Sequence, residues 1–373
     1  MRFGVFFLSQ APDISPAQAL KWELGQIEYA EELGYDSVWL AEHHFTDYCV
    51  VNDPLTYAAH VAARTSRVRI GLAVSILPLH HPIEIAERCA LVDILSGGRL
   101  DVGFGRGYSG YEFANFGIDL EERRDRFREN LDIVTRLWTE DGVDYDGRWW
   151  QIRDASLHPK PLQQPHPPVY IASSGSPDTI ALAAERGLPI IQGVDFLTPD
   201  IVSSRYEQYR VAAENAGRSK REIAASFAAS PVAQKIFVAP TRKLALETPA
   251  PYAMWRHRKV MALKPGSTPP TPISQVRRKL RPIRRAITGS SARDWQDMTW
   301  EDLSAFDVYG TPDDCIEKIQ KLADAGAETL ICWFAYGGMP DQHVRNAMKL
   351  FANEVMPVFR ESRAPARAEA LIR

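Results

Sequence analysis

The chain has 373 residues, 45% hydrophobic and 24% charged, which suits one large domain or two ordinary ones. Its formal net charge of −3 excludes a molecule built as a whole to bind polyanions such as nucleic acids. The four cysteines form no C-x-x-C pair, which argues against a disulfide framework or a structural zinc site. No apolar run reaches about 18 residues, so we expect a cytoplasmic protein without a membrane span.

Short apolar strands alternate with longer helical patterns along nearly the whole chain. Strands are predicted over 2–8, 37–41, 68–77, 99–105, 169–173, 188–193, 223–239 and 328–334. Helices are predicted over 17–33, 54–66, 83–95, 121–140, 177–186, 199–216, 312–325 and 341–360. Continuous apolar strands that are each followed by a helix indicate a parallel sheet covered by helices. Eight such units favour a (β/α)8 TIM barrel over an open doubly wound sheet, and the first strand is not followed by G-x-G-x-x-G.

Two segments interrupt this alternation. Residues 142–167 predict a short hairpin around Asp146-Gly147 and then a proline-rich connector. Residues 248–293, an insertion near the seventh strand, contain 11 Lys or Arg, seven prolines and no Asp or Glu. Two interpretations stay open: a solvated, partly disordered insertion, or a lid over the mouth of the barrel whose charge favours anionic ligands or partners. In both cases we expect residues 1–373 to form a single domain.

The second strand ends on Glu42-His43-His44, at the edge of a barrel where catalytic groups lie. Successive strand residues point to opposite faces, so at most one of the two histidines enters the mouth while the other supports the turn. An inward imidazole suits proton transfer or a hydrogen bond to a reacting group. A metal site would favour His-x-His spacing, and we assign no metal here. The alternative is a polar cluster that only closes the barrel.

Two loops further along the chain are typical of anion sites. GFGRGYSGYEF (103–113) allows close backbone approach and carries Arg106, a fixed cation suited to a phosphate. In YIASSGSPDT (170–179), serines and a glycine lead into Pro177 as the first residue of a helix. Such a helix start binds phosphate through its free N–H groups and its dipole, although an ordinary N-cap has the same pattern. The two loops together predict a phosphate-bearing cofactor across the mouth.

The sequence resembles the bacterial luciferase-like, flavin-dependent monooxygenases, and among them the alpha-chain branch. The stretches that carry the resemblance run in order over nearly the entire chain: RFGVFFL, GYDSVWLAEHHFTD, LPLHHP, GRLDVGFGRG, FGIDLEERR, VYIASSGS, YGTPDDCIEKIQK and MKLFANEVMPVFRE. The resemblance implies a (β/α)8 barrel that binds reduced FMN at the carboxyl ends of its strands. A separate flavin reductase would supply the FMN, and O2 would add to it as a peroxyflavin that transfers one oxygen atom to a small organic substrate.

The resemblance also assigns roles to residues. His43 would serve catalysis beside the flavin, held by Glu42 and His44. A cis peptide at Ala73-Val74 would make room for the flavin ring. The flavin phosphate would be bound by Arg106, Arg124, Ser173, Ser174, Gly175, Ser176 and Thr179. A homodimer is implied through helices near the second and third units.

Two other functions stay open beside this one. The same fold also serves F420-dependent hydride transfer, which needs no O2, and the basic insertion is compatible with the long anionic tail of that cofactor. A non-catalytic flavin-binding subunit would be expected to have lost site residues. The EHHFT strand end favours the monooxygenase.

Overall fold

The computed structural model describes residues 1–193, 195–263 and 298–361. Strands in these residues are mostly short and buried, as the apolar runs predict. They are β1 (Arg2–Phe7), β2 (Ser37–Leu40), β3 (Arg69–Leu72), β4 (Ser75–Ile76), β5 (Leu100–Gly105), β6 (Val143–Asp146), β7 (Gln151–Ala155), β8 (Val169–Ser173), β9 (Ile190–Gln192), β10 (Pro231–Val238), β11 (Val308–Gly310) and β12 (Thr329–Trp333).

Eight of these strands close into a parallel barrel, so the predicted TIM barrel is confirmed. The order around the barrel is β1, β2, β3, β5, β8, β9, β10 and β12, and β12 pairs again with β1. Strand β4 pairs with β5, and β11 adds to β10 outside the ring. The hairpin predicted around Asp146-Gly147 is also confirmed, because β6 and β7 pair antiparallel there. That residues 1–373 form one domain stays a prediction, since 264–297 lie outside the described residues.

Helices follow the barrel strands and cover their outer face. Many begin at a Ser, Thr or Asp N-cap followed by proline; Ser15, Asp53 and Thr311 each accept a hydrogen bond from the first turn of their helix. The main helices are Pro16–Glu32, Pro54–Arg64, Pro82–Leu95, Arg123–Thr139, Pro177–Arg186, Pro199–Asn215, Lys220–Ala229, Ala250–Leu263, Pro312–Asp324 and Asp341–Leu350, the last continued by a π turn (Phe351–Val355) and Met356–Glu361. Shorter helices are Gly110–Asn115, Arg242–Glu247 and Trp300–Ser304.

Three predictions about elements need correction. The strand predicted over 223–239 is wrong in its first half, because Ser219 and Glu222 form a capping box that begins the helix Lys220–Ala229. The strand predicted over 68–77 is interrupted at the cis peptide Ala73-Val74, which separates β3 from β4. Of the insertion 248–293, residues 248–249 form a turn, Ala250–Leu263 form a helix, and 264–293 lie outside the described residues.

The interior of the barrel is filled by large side chains opposite glycines. Trp39 of β2 meets Tyr170 of β8 edge to face, with ring centroids 5.4 Å apart. A Cβ atom on Gly4 or Gly71, in the two neighbouring strands, would collide with the Trp39 indole. Within the described part of the chain, no helix combines the length and the apolar character needed to cross a membrane.

Candidate active site

A cavity of about 830 Å³ opens at the carboxyl ends of the barrel strands. Its wall consists of residues that end or follow these strands, among them Leu8, His43, Ala73, Val74, Tyr108, Ser174 and Trp333. This is the end of a TIM barrel at which active sites are found, because loops from all eight strands converge there. Ala73 and Val74, the residues of the predicted cis peptide, both lie in this wall.

His43 lies in the cavity wall and is held from behind by Glu112. The Glu112 carboxylate lies 2.9 Å from Nδ1 of His43 and accepts a second hydrogen bond, also 2.9 Å, from the backbone N–H of His44. Glu112 is only 1% exposed and lies on the short helix Gly110–Asn115. A carboxylate at Nδ1 keeps the proton on that nitrogen. Nε2, which lies 3.4 Å from the Tyr108 hydroxyl, is then the ring atom left for a ligand.

Glu42 is buried in the cavity wall and hydrogen-bonds the end of β2 to three neighbouring segments. One of its oxygens lies 3.0 Å from Nε2 of His44 and 2.7 Å from Nε2 of His80, and the other accepts hydrogen bonds from the Ser75 hydroxyl and the Ile76 N–H. Burial by itself raises the pKa of Glu42, but the hydrogen bonds from His44 and His80 outweigh it and lower the pKa to about 2. The same contact raises the pKa of His80 despite burial.

Of the Glu42, His44 and His80 cluster, only Glu42 reaches the cavity wall, and both of its oxygens are already engaged in hydrogen bonds. His44 does not line the cavity, whereas His43 does, so the two adjacent histidines point apart. Side-chain atoms of Glu42, His44 and His80 lie within 4.8 Å of one another, a spacing that a cation could bridge. In the structure, these atoms are already engaged in hydrogen bonds between the Glu42 carboxylate and the rings of His44 and His80. That they hold no metal stays a prediction.

The Ser-rich loop after β8 forms the opposite end of the cavity. Ser173, Ser174 and Thr179 line the cavity directly. Gly175 has a φ of 106°, which favours glycine, and its N–H donates to the Ser173 hydroxyl at 3.2 Å. Ser176 is the N-cap of the helix Pro177–Arg186, and its side chain makes no capping hydrogen bond. The loop therefore presents hydroxyls and a helix start to the cavity, as an anion site requires.

Arginines surround this loop and make that end of the cavity positive. Arg106 lines the cavity, and burial together with the neighbouring Arg124 lowers the pKa of its guanidinium. Arg124 does not reach the cavity wall and instead pairs with Asp178 at 2.8 Å. Arg205, from the helix Pro199–Asn215, lines the cavity as well and donates from Nη2 to the Ser174 carbonyl at 2.8 Å.

The third side of the cavity is closed by the helix Ala250–Leu263. Its Arg256 binds Asp195 through both terminal nitrogens, at 2.6 and 3.2 Å. The guanidinium also stacks over Trp333, 4.6 Å from the ring centroid. Burial opposes the charge of Arg256, but Asp195 outweighs it and raises the pKa. Val260, one turn further along the helix, adds an apolar contact to the wall. The beginning of the predicted insertion thus forms part of the cavity.

Four residues of this site were missed by sequence reasoning. Glu112 lies inside the quoted glycine loop, and its only local signal is the Ser109 N-cap three residues earlier. His80 lies just before the helix Pro82–Leu95, and a histidine at a helix entry carries no local signal of a contact with Glu42. Arg205 and Arg256 lie within helices, where a sequence pattern does not tell which charged residue turns inward.

In this barrel, one cavity contains an oriented imidazole and a loop surrounded by arginines. Such a site is typical of an enzyme that acts on a ligand with an anionic group. Comparison with known proteins shows which family of enzymes the chain belongs to. A family model described as luciferase-like monooxygenase matches residues 1–329, and the chain belongs to that family. The resemblance drawn from its motifs is therefore confirmed, and the protein is an oxidoreductase enzyme.

Relatives with named activities cover the chain in whole or in part. It is 28% identical to an alkanal monooxygenase alpha chain of Photorhabdus luminescens, over 97% of this chain and 98% of the relative. It is 31% identical to the oxygenase component of a flavin-dependent trigonelline monooxygenase of Acinetobacter baylyi, over 50% of this chain and 52% of the relative. The solved oxygenating constituent of 3,6-diketocamphane monooxygenase from Pseudomonas putida, in complex with FMN, shares the fold with a TM-score of 0.77 at 23% identity, covering 96% of this chain and 98% of that one.

Proposed function

We propose that the protein is the oxygenase component of a two-component monooxygenase that uses reduced FMN and O2 to insert one oxygen atom into a small organic substrate. The observation that carries the proposal is the single cavity that joins His43, held by Glu112, to the Ser-rich loop and its arginines. The alternative of a non-catalytic subunit predicts a dismantled site. Here the imidazole, its carboxylate and the cationic loop are all in place, which supports an enzyme.

The residues at the cationic end fit a flavin phosphate. Ser173, Ser174 and Thr179 offer hydroxyls to the cavity, and Arg106 and Arg205 offer positive charge beside them. Among the described residues, no carboxylate forms an ion pair with either arginine, so an anionic ligand supplies the missing charge. The proposal therefore assigns the phosphate to these residues, with Gly175 and Ser176 completing the loop and Arg124 acting from outside the wall.

The chain's own residues would bind the flavin and the substrate, orient them, and exclude water from the cavity. Reduced flavin, when bound, supplies the electrons that activate O2. Because Nδ1 keeps its proton, His43 Nε2 can accept a hydrogen bond or a proton at the reacting end, and Glu112 fixes the ring so that this nitrogen points to the cavity. Ala73 and Val74, together with Phe6 and Trp333, give the wall apolar surface. An apolar wall limits water, which protects a reactive oxygen species from hydrolysis.

Two partners belong to the proposal. A separate reductase would supply reduced FMN, and the names of two relatives, an oxygenase component and an oxygenating constituent, support this division of labour. A homodimer would pair through the second and third units. The helix Pro82–Leu95 there exposes Leu91, Ile94 and Leu95, and such apolar side chains favour burial against a second copy.

The test is rapid mixing of the anaerobic protein and reduced FMN with oxygenated buffer. Reoxidation in two separate phases, slower than that of free reduced FMN, supports the proposal. His43→Ala should change the phases, whereas His60→Ala, in an exposed position on the helix Pro54–Arg64, should not. Reoxidation at the rate of free FMN would contradict the proposal and leave F420-dependent hydride transfer as the function to examine.

A further inference from the structure

Arg205 is a buried cation whose charge is not balanced by any side chain around it. It is 9% exposed, and its Nη1 has no hydrogen-bond partner. Within residues 1–193, 195–263 and 298–361 no carboxylate pairs with it, and burial alone lowers the pKa of its guanidinium. Removing a charge from water without a partner costs several kcal/mol, so such a group indicates a missing anion.

The position of Arg205 identifies where that anion binds. Its Nη2 donates to the carbonyl of Ser174, and its guanidinium lies against Gly175, where an added Cβ would come within 3.1 Å of Nη2. Both residues belong to the Ser-rich loop, and Arg205, Ser174 and Arg106 all line the same cavity. Arg205 thus supports the loop from one side while Arg106 faces the cavity after β5.

The unpaired arginines beside the Ser-rich loop match a ligand that carries two negative charges. Three arginines of the described chain line the cavity, and Arg256 is paired with Asp195. Arg106 and Arg205 are the two of these three that no carboxylate of the described residues pairs, while Arg124 outside the wall is paired with Asp178 at 2.8 Å. A phosphate monoester carries about −1.5 to −2 at neutral pH, whereas a phosphate diester carries a single charge. A ligand with one charge would leave one of these two cavity-lining guanidinium groups, the buried Arg205 or the half-buried Arg106, unbalanced.

We propose that Arg205 is a specificity-determining residue that, together with Arg106, makes this cavity select a terminal phosphate monoester over a diester or an unphosphorylated ring. The inference rests on the proposed function and deepens it. A site of this kind would favour FMN, a phosphate monoester, over any cofactor whose phosphate is a diester. Arg205 adds to the phosphate-binding residues that the sequence predicts.

The experiment is calorimetric titration of three oxidised flavins: FMN, its monomethyl phosphate ester and riboflavin. The full chain should bind them in that order of decreasing affinity. Arg205→Met should weaken the binding of FMN about tenfold or more, as expected for a lost hydrogen bond to a charged group. The affinity for riboflavin should not change. Arg205→Lys should recover part of the preference. Arg210→Met, which removes a surface arginine paired with Glu207 and Glu214 on the same helix, should match the wild type.

A pH series separates a role in charge recognition from a role in loop structure. Wild-type affinity for FMN should rise as pH increases through the second phosphate pKa near about 6, and this rise should flatten in Arg205→Met. The inference would be overturned if Arg205→Met lost affinity for FMN and for riboflavin equally, or if its preference among the three flavins were unchanged. Either result would leave the monooxygenase assignment standing if the wild type still reoxidises reduced FMN in two phases.

Inorganic phosphate provides a readout that does not depend on the flavin. It should raise the Tm of the wild type and of Arg210→Met, because a ligand that binds only the folded state stabilises it. It should raise the Tm of Arg205→Met much less. An equal rise in all three proteins would contradict the anion site at Arg205. If the wild type shows the phosphate effect but binds no FMN, the proposed function fails while the dianion site remains.

Discussion

The carboxylate of Glu112 lies 2.9 Å from Nδ1 of His43, although 69 residues separate them in the chain. The same oxygen accepts the backbone N–H of His44, so one buried carboxylate fixes both the ring and the backbone of the strand end. Orientation of a catalytic imidazole by a carboxylate is a recurrent arrangement in enzymes, because it selects the tautomer and stabilises any positive charge that forms. We therefore expect Glu112 to be a positioning residue that acts through His43.

Replacing Glu112 should therefore lower kcat more than it changes KM. Glu112→Gln keeps the shape of the side chain but removes the charge that sets the His43 tautomer. We expect kcat to fall by roughly a hundredfold, at the lower end of the range for lost acid–base catalysis. Steady-state kinetics with reduced FMN and a turned-over substrate measure it, and Glu121→Gln, at a site 85% exposed, is the matched control. A change confined to KM would contradict the role.

Glu42 should make the fold sensitive to acid. Its pKa is lowered to about 2 in the folded protein, so its stabilising contribution is fully present above the unfolded value of 4.5 and is lost as the pH falls from there towards about 2. Each unit of pKa shift corresponds to about 1.4 kcal/mol, which gives on the order of 3 kcal/mol at neutral pH. Denaturant titration of Glu42→Gln should show a deficit of that order at about pH 7 and a smaller one at about pH 3. A deficit independent of pH would contradict the prediction.

Glu23 should have the opposite dependence. Burial raises its pKa to about 7, although the hydrogen bond from the Ser9 hydroxyl opposes the shift. A raised pKa means that stability is greatest below the unfolded value of 4.5 and is lost as the pH rises through about 7. Glu23→Gln removes this ionisation, so we expect a higher Tm than the wild type at about pH 8 and little difference at about pH 4.5. An equal gain at both pH values would point to packing instead.

Gly71 should be intolerant of any side chain. A Cβ atom there would overlap the indole of Trp39, which is buried in the barrel interior and has no free space to move. Overpacking of this kind typically costs about 1–3 kcal/mol, so Gly71→Ala should lower the free energy of unfolding by about that amount. Gly110→Ala is the control, since its Cβ would make only an ordinary contact of 3.7 Å with Leu120. Equal effects of the two substitutions would contradict the packing argument.

Local patterns failed where two signals compete in one stretch. The segment 223–239 is largely apolar, and its first half is rich in alanine, which is the strongest helix former. The capping box at Ser219 begins a helix that continues to Ala229, and only Pro231 onwards pairs in the barrel. An apolar run does not by itself distinguish a buried helix from a buried strand, because both lack a polar face.

The sequence alone determined the eight-stranded barrel and the position of its mouth, because both follow from local patterns. These patterns are the strand and helix periods, the prolines and glycines that end the elements, and the EHH and Ser-rich strand ends. It also identified His43, Arg106 and the loop 173–176, because such residues immediately follow strands. Only the tertiary structure decided that Glu112 holds His43, that Arg205 lies under Ser174 and that Arg256 binds Asp195. These pairs lie 69, 31 and 61 residues apart. Each depends on which face of a helix packs inward, and helix packing against the closed barrel fixes that face.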